Sequence, residues 1–544
     1  MSAASRLVLA LALPSVLALR AGAQCALETQ DLAPADGQAG DSFGYRVERD
    51  GDVAVVAATF DDDLGLDAGS AYVLARDPAG HWDIAKKLLA SDGAAGDFFA
   101  YSVAVDGARV LVGAPGHDGA ASHTGAVYVF ARDQGGANQW GEVARFTPPG
   151  LAPGAGFAYS IARHGDRLLV GAPHHATGLA GRAFLYRRDA SSASGWTLER
   201  DFTSSAPATA LEFGQDVALG EAVLAVSGST TSVQPYSDSY VVHVRERDAG
   251  GPGNWGEVQR LFSPTGARDI FAYEIALDED ELVAVAPAET DLQSGQIGAL
   301  YLYRRDLGGP SAWGLARRLA EFQPDGFFAV DEVDLAGDWI VAGSFGLTAG
   351  GQPSAGALFV YGRDVGGPEA WGSLGRIESV PPEAEAFFGL DLTLAGDELL
   401  VGAPGTYSGS ESGELYALDL GRLARASWRN DAAGLDPDVY RVLSRPWLGT
   451  RLVAEVDLAA SGHAFAWLTA FARAAEVPLA GGRVLLGAGT LAHASAAGPL
   501  AHFEIALPAD ASLCGRALVT QAALVGAGRP FALSNAQDLV LGFP

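Results

Sequence analysis

Phe99-Ala100-Tyr101-Ser102-Val103-Ala104-Val105-Asp106-Gly107-Ala108-Arg109-Val110-Leu111-Val112-Gly113-Ala114-Pro115 is the stretch that decides the fold. It reads as a strand, a two-residue hairpin turn at Asp106-Gly107, and a second strand stopped by Pro115; the turn uses the positive φ that Gly supplies. Gly125–Phe130 follows as a third strand, and Trp140–Phe146 as a fourth. The same order of signals recurs behind Phe43, Phe99, Phe157, Phe213, Phe271, Phe328 and Phe388, at spacings of 56, 58, 56, 58, 57 and 60 residues. A fixed period of this length is the mark of a repeat architecture.

The second and third strands of each repeat are almost continuously apolar, as in Leu168-Leu169-Val170 and Ala299-Leu300-Tyr301-Leu302-Tyr303. A sheet with one wet face would alternate; continuous runs mean burial on both faces. Seven four-stranded sheets, each packed between two others, predict an all-β, seven-bladed β-propeller. Trp82, Trp140, Trp196, Trp255, Trp313 and Trp371 open fourth strands, so the seventh repeat lacks one. The segment at about 26–32 stands before Phe43 as Ala85–Leu89 stands before Phe99, and it is expected to supply the missing outer strand. That pairing would close the ring and remove an open edge. Trp428 marks a rival outer strand.

These residues resemble FG-GAP repeats, the units of the integrin α-subunit propeller and of exported bacterial proteins. Full Gly-Ala-Pro stands at Gly113-Ala114-Pro115, Gly171-Ala172-Pro173 and Gly402-Ala403-Pro404. Elsewhere it decays, to Ala57-Ala58-Thr59, Val226-Ser227-Gly228, Val285-Ala286-Pro287 and Ala342-Gly343-Ser344. The resemblance implies a propeller whose ligand face carries the long loops, and a role in adhesion. The calcium-binding form of the repeat needs an acidic loop between strands one and two, with several oxygens converging on the ion. Here those joints are tight turns such as Asp106-Gly107 and Asp278-Glu279-Asp280, so no calcium cage is expected.

Residues 24–424 are assigned to the propeller, 425–437 to a linker and 438–544 to a small β-sandwich-like domain. Residues 1–23 read as a signal peptide: Arg6, an apolar run Leu7–Leu19, and a cleavage site ending at Ala23. Secretion or a cell-surface or periplasmic location would follow. Cys25 and Cys514 could then pair as a disulfide, or stand unpaired. The formal net charge of −29 with only two lysines, Lys86 and Lys87, leaves no basic footprint for nucleic acid. No stretch beyond the leader is expected to span a membrane.

Catalytic signatures are absent from the sequence: no nucleophile elbow, phosphate loop or zinc helix occurs. No cofactor or catalytic residue is assigned. His174-His175 reads as an exposed turn, Ser227–Ser239 as a long surface loop, and Asp61-Asp62-Asp63 with Asp67 as a solvated acidic loop with a weak claim to a cation. The loops between strands two and three, and between blades, are the long and varied ones, which places recognition of a protein or glycan on that face. The alternatives are a hydrolase or lyase at the channel mouth, or a structural envelope protein without a discrete ligand. Three or more His, Asp, Glu or Arg side chains converging at one channel mouth would sink the binding reading in favour of the enzyme.

Overall fold

The computed structural model describes residues 28–423 except 135, 174–180, 206–211, 230–239, 266–268, 291–296, 320–329, 366–368, 380 and 407–411. Beyond residue 424 it describes ten strands. Seven antiparallel four-stranded sheets follow one another along the chain, each ordered from inner to outer strand. In the second blade the strands are Ser102–Val105, Arg109–Ala114, Ala126–Ala131 and Gly141–Phe146. The second and third of these are almost wholly buried, whereas the outermost is half wet. A blade sandwiched between neighbours has this profile.

Phe43 opens its inner strand, Phe43–Asp50, whereas Phe99, Phe157, Phe213, Phe271 and Phe388 stand before theirs. Phe98 and Ala100 have φ of 51° and 68°, so the chain turns through the anchor before it extends at Ser102. The turn drives the Phe ring into the core between its blade and the preceding one. Phe43, Phe99, Phe157, Phe213 and Phe271 are completely buried. Each meets a third-strand ring edge-on: Phe43 with Tyr72 at 5.2 Å, Phe99 with Tyr128 at 5.3 Å, Phe157 with Phe184 at 5.5 Å. Such pairs add about 1 kcal/mol beyond area burial.

The glycines explain the other half of the repeat. Gly125 has φ +81°, and a Cβ there would lie 2.0 Å from the carbonyl oxygen of Phe157 in the next blade. A Cβ on Gly171 would lie 2.1 Å from the carbonyl of Gly214, one residue past the next anchor. Phe-Gly and Gly-Ala-Pro are thus two halves of one contact between adjacent blades. Backbone bonds reinforce it: Phe99 N donates to Ala68 O at 2.9 Å, and Phe157 N to Thr124 O at 2.9 Å.

The sixth blade departs from the sequence reading. Phe328 lies outside the described residues, and the anchor slot is filled by Val330. The register shows why: Asp331 N donates to Gly343 O at 2.9 Å, as Gly389 N does to Gly402 O in the seventh blade. Position 331 therefore matches the residue just after Phe388.

The seventh sheet takes Glu28–Leu32 as its outer strand, antiparallel to Glu414–Asp419. Its side chains behave as those of any fourth strand. Gln30 clamps the Trp82 backbone, donating to its carbonyl at 2.6 Å and accepting from its N–H at 2.8 Å. Gln259 clamps Trp313 with two bonds of 2.8 Å. The glycine contacts across this joint are also the usual ones: Cβ atoms on Gly402 and Gly413 would lie 1.9 Å from Gly44 O and 2.2 Å from Phe43 O.

Trp428 does not join the ring. Its strand, Arg425–Arg429, pairs with Arg529–Val540 in a five-stranded sheet. A three-stranded sheet and a two-stranded hairpin account for the other described strands of this region. Cys25 and Cys514 lie outside the described residues.

Two glycine substitutions separate close approach from φ alone. Gly107→Ala, at φ +66° with open space around it, is expected to cost about 1 kcal/mol. Gly125→Ala must also move the Phe157 backbone, and is expected to cost more than about 3 kcal/mol or abolish soluble expression. Urea denaturation of the two variants checks the difference; equal losses would remove the close-approach account.

Candidate functional site

The inner strands bring one residue per blade to the ring axis, three positions after the anchor. These are Arg46, Ser102, Ser160, Asp216, Glu274, Glu332 and Asp391, the sixth assigned by its pairing with Gly343. They line an axial cavity of about 430 Å³. One position earlier stand Tyr45, Tyr101, Tyr159, Gln215 and Tyr273, nearer the face where the long loops lie. The tyrosines form a connected collar. Rings of Tyr45 and Tyr101 are 5.8 Å apart, and those of Tyr101 and Tyr159 are 4.7 Å apart. Tyr101 donates to Tyr159 at 2.9 Å, and Gln215 Nε2 donates to the Tyr159 hydroxyl at 3.2 Å.

Several ring residues join blades. An inner strand has no sheet partner on its axial edge, so its backbone groups need side chains. Ile275 N donates to Asp216 at 2.8 Å, Leu394 N to Asp334 at 2.8 Å, and Val47 N to Asp391. Ser102 Oγ donates to Ala158 O at 2.7 Å, and Ser160 Oγ to Gly214 O at 3.1 Å. Each bond crosses from one blade to the next.

The remaining groups set the electrostatics. Arg46 Nη1 is 3.4 Å from Asp391. Burial alone would lower the arginine's pKa, but Asp391, Tyr45 and nearby glutamates raise it, so it stays charged. Burial pushes the carboxyl groups upward in turn. Glu48 reaches about 7 through burial and then Asp334; Asp334 and Asp391 reach about 6; Asp331 reaches about 8 through burial alone. Glu274 and Glu332 are pushed well above the usual carboxylate range, by burial first and then by neighbouring acids. Asp216 and Glu274 hydrogen-bond carboxyl to carboxyl, as do Glu332 and Asp391, and such a contact needs a shared proton. Asp331 is only 7 % exposed, and its Oδ2 has no hydrogen-bond partner.

Sequence reasoning missed this ring. Its residues sit inside regular repeats, and the sequence reading sought a site where the repeat breaks. The available signal was the third residue after each anchor, which runs Arg, Ser, Ser, Asp, Glu and, after Phe388, Asp. The places that reading did single out fare differently. His174-His175 and residues 230–239 lie outside the described residues, and Ser227–Ser229 belong to a second strand. Among the described residues, no three His, Cys, Asp or Glu side chains are placed to share a metal ion.

The Asp61 loop is not merely solvated. Lys87 Nζ lies 2.7 Å from Asp61, 2.7 Å from Asp63 and 3.4 Å from Asp36, and 5.4 Å from the Tyr72 ring centroid. An ammonium of the chain itself stands at the centre of this acid cluster. The second blade repeats the device, with Tyr128 and Arg145 both on Asp92.

Two expectations follow. Burial lowers the Lys87 pKa, but hydrogen bonds to Asp61 and Asp63 raise it further, above its ordinary 10.5. Its stabilisation is therefore complete below about 10.5 and lost only as pH rises through the folded value. Lys87→Met should cost about 2–4 kcal/mol at pH 7, since Asp61 is left buried and uncompensated. The channel carboxyls have the opposite consequence at neutral pH. Because their folded values are raised, the folded protein holds more protons between about pH 4 and 8, and stability falls as pH rises through that window. Denaturant midpoints should show the protein more stable at pH 5 than at pH 8 by at least about 2 kcal/mol.

A model of the FG-GAP repeat family matches residues 27–74, 82–130 and 140–186, the first three blades. No curated protein matches the chain. Among solved structures it is similar to the β-propeller domain of the trilobed protease from Pyrococcus furiosus, at 9 % identity and TM-score 0.38, covering 69 % of this chain and 94 % of that one. It is also similar to PorZ, a bacterial surface component of the type-IX secretion system of Porphyromonas gingivalis, at 14 % identity and TM-score 0.41, covering 94 % and 61 %. With the repeat matched in three blades and its architecture repeated in seven, the chain carries FG-GAP repeats in its first three blades and folds as a seven-bladed β-propeller.

Proposed function

We propose that the chain is an exported binding protein whose ligand enters the axial cavity from the loop-bearing face. Export rests on the leader-like residues 1–23, and the preferred face on the long loops between strands two and three and between blades. The observation that carries the reading is the cavity itself, a polar recess of about 430 Å³ rimmed by tyrosines. A rigid ring with a few convergent polar groups is the usual setting for a small ligand or a protruding group of a larger one. A glycan or a peptide side chain fits that description, so the protein or glycan partner expected from the sequence is retained, with its docking point moved from the loops to the axis.

By number alone, Arg46 and the converging carboxyls satisfy the condition set above for a hydrolase or lyase. Their bonding favours recognition. Two-carboxyl catalysis divides the work between an ionised base and a protonated acid, with environments that push their pKa values apart. Here the channel carboxyls are all pushed the same way, upward. Asp216, Asp334 and Asp391 hold backbone N–H groups, and the hydroxyls of Ser102 and Ser160 are engaged with backbone carbonyls. One observation supports the catalytic reading: the proton shared by Asp216 and Glu274 is the arrangement of an acid-pair hydrolase.

A glycan and peptide array probed with the folded protein tests the proposal, with every hit then assayed for product. Binding without turnover, weakened about tenfold or more by Tyr101→Ala, is the expected result. Product release abolished by both Asp216→Asn and Glu274→Gln would establish the hydrolase. Binding that no channel substitution alters would return recognition to the outer loops.

A further inference from the structure

We propose that the axial cavity selects an organic cation: a ligand bearing primary ammonium groups on an extended carbon frame. The proposal rests on the channel's being a binding site and names what it takes.

The first argument is an inventory of charge. Seven acidic side chains line the cavity against two arginines. Arg163 is already engaged, with Nη2 2.9 Å from Asp50 and Nε 2.7 Å from Val105 O. Arg46 leans on Asp391. Three of the acids are held by backbone amides from the next blade, as described above. Glu274 and Glu332 have no arginine within ion-pair distance among the described residues, and Asp331 has none either. The cavity therefore has an excess of carboxyl groups that the fold does not pair with cations and that stay neutral by holding protons.

The second argument is independent of charge. Two buried side-chain atoms lining the cavity lack a hydrogen-bond partner, Asp331 Oδ2 and Gln215 Oε1; the amide oxygen is an acceptor, and the carboxyl becomes one when it gives up its proton. A buried acceptor without a donor costs about 1–3 kcal/mol. A ligand rich in N–H donors would satisfy both at once; an anion or a bare carbonyl would satisfy neither. The third argument is the collar. Tyr45, Tyr101, Tyr159 and Tyr273 present aromatic rings at the entrance, and aromatic rings attract ammonium groups through their negative faces. A bare metal ion fits poorly, because no three acidic or imidazole groups among the described residues are placed to share one. The positive charge is better brought by a molecule long enough to reach several acids in turn.

Entry of a cation would displace protons held by the Asp216–Glu274 and Glu332–Asp391 pairs and by Asp331, with Arg46 and Tyr273 facing the same space. Binding should therefore tighten as pH rises, and should release protons into the buffer.

The test is isothermal titration of the full chain with spermidine and with cadaverine. Glucose, glutamate and calcium chloride serve as neutral, anionic and metal comparisons. Measurements are made at pH 5.5 and 8 in buffers of different ionisation enthalpy. The expected result is one amine per chain, bound about tenfold or more tightly at pH 8 than at pH 5.5, with proton release. Asp331→Asn and Glu274→Gln should each weaken it about tenfold or more, while raising or preserving the unfolding midpoint because a buried ionisable carboxyl is replaced by a neutral amide. Silence of both amines toward the folded protein at pH 8 overturns the proposal, as does binding that neither substitution changes. Glucose binding with silent amines would overturn the ligand class and leave the channel as a binding site. Calcium binding with silent amines would replace the organic cation with a metal. If no small probe and no array ligand binds, the binding function falls together with the ligand class.

Discussion

Everything in this propeller depends on how closely one blade's backbone can approach the next. The anchor phenylalanine turns out of the strand direction and buries its ring in the core between its own blade and the preceding one. Its carbonyl, and that of the residue after it, then press against glycines of the preceding blade at distances where no Cβ could stand. The aromatic ring fills the core between neighbouring blades. The glycines give the pair of blades its spacing, and the anchor amide adds a hydrogen bond across the joint. Removing the side chain from one partner is what lets seven wedge-shaped sheets meet around a narrow axis.

The narrow axis has its own physical consequence. Inner strands meet edge to edge without pairing, so their free amides and carbonyls fall to side chains, and Ser102, Ser160, Asp216, Asp334 and Asp391 supply the bonds. Acids drawn to the axis for this purpose crowd one another away from water. Their protonation is then set by burial more than by any single partner. The channel's chemistry thus follows from its architecture: the edges that must be satisfied concentrate the groups that can recognise a ligand.

Most of the fold could be read from the sequence because periodicity reports burial directly. Seven repeats, four strands in each and an outer strand drawn from the N-terminal side all follow from apolar runs, turn residues and Trp positions. Phe328 misled because the anchor slot falls to Val330, two residues later; counting three from the aromatic gives Asp331, where the backbone register places Glu332 at the axis. The channel was less legible. A side chain at the axis and one in the interblade core occupy neighbouring positions of the same short strand, and only the three-dimensional turn at the anchor decides which faces inward. Lys87 was passed over for a similar reason. Its partners Asp36, Asp61 and Asp63 come from different loops, so no local pattern announces the ammonium among them.

The strand Glu28–Leu32 has a temporal meaning as well as a spatial one. Thr29 bonds Ala417 across a sequence separation of 388 residues, so among the described strands the one that leaves the ribosome first must wait for the last blade before it finds its place. Until then the chain is an open arc with an unpaired edge at each end, the form in which β-rich proteins most readily associate with one another. Closure is thus a late and single event. A few residues act as its latch, and a chain trimmed or occluded there would keep nearly all its native contacts yet remain an open, sticky intermediate.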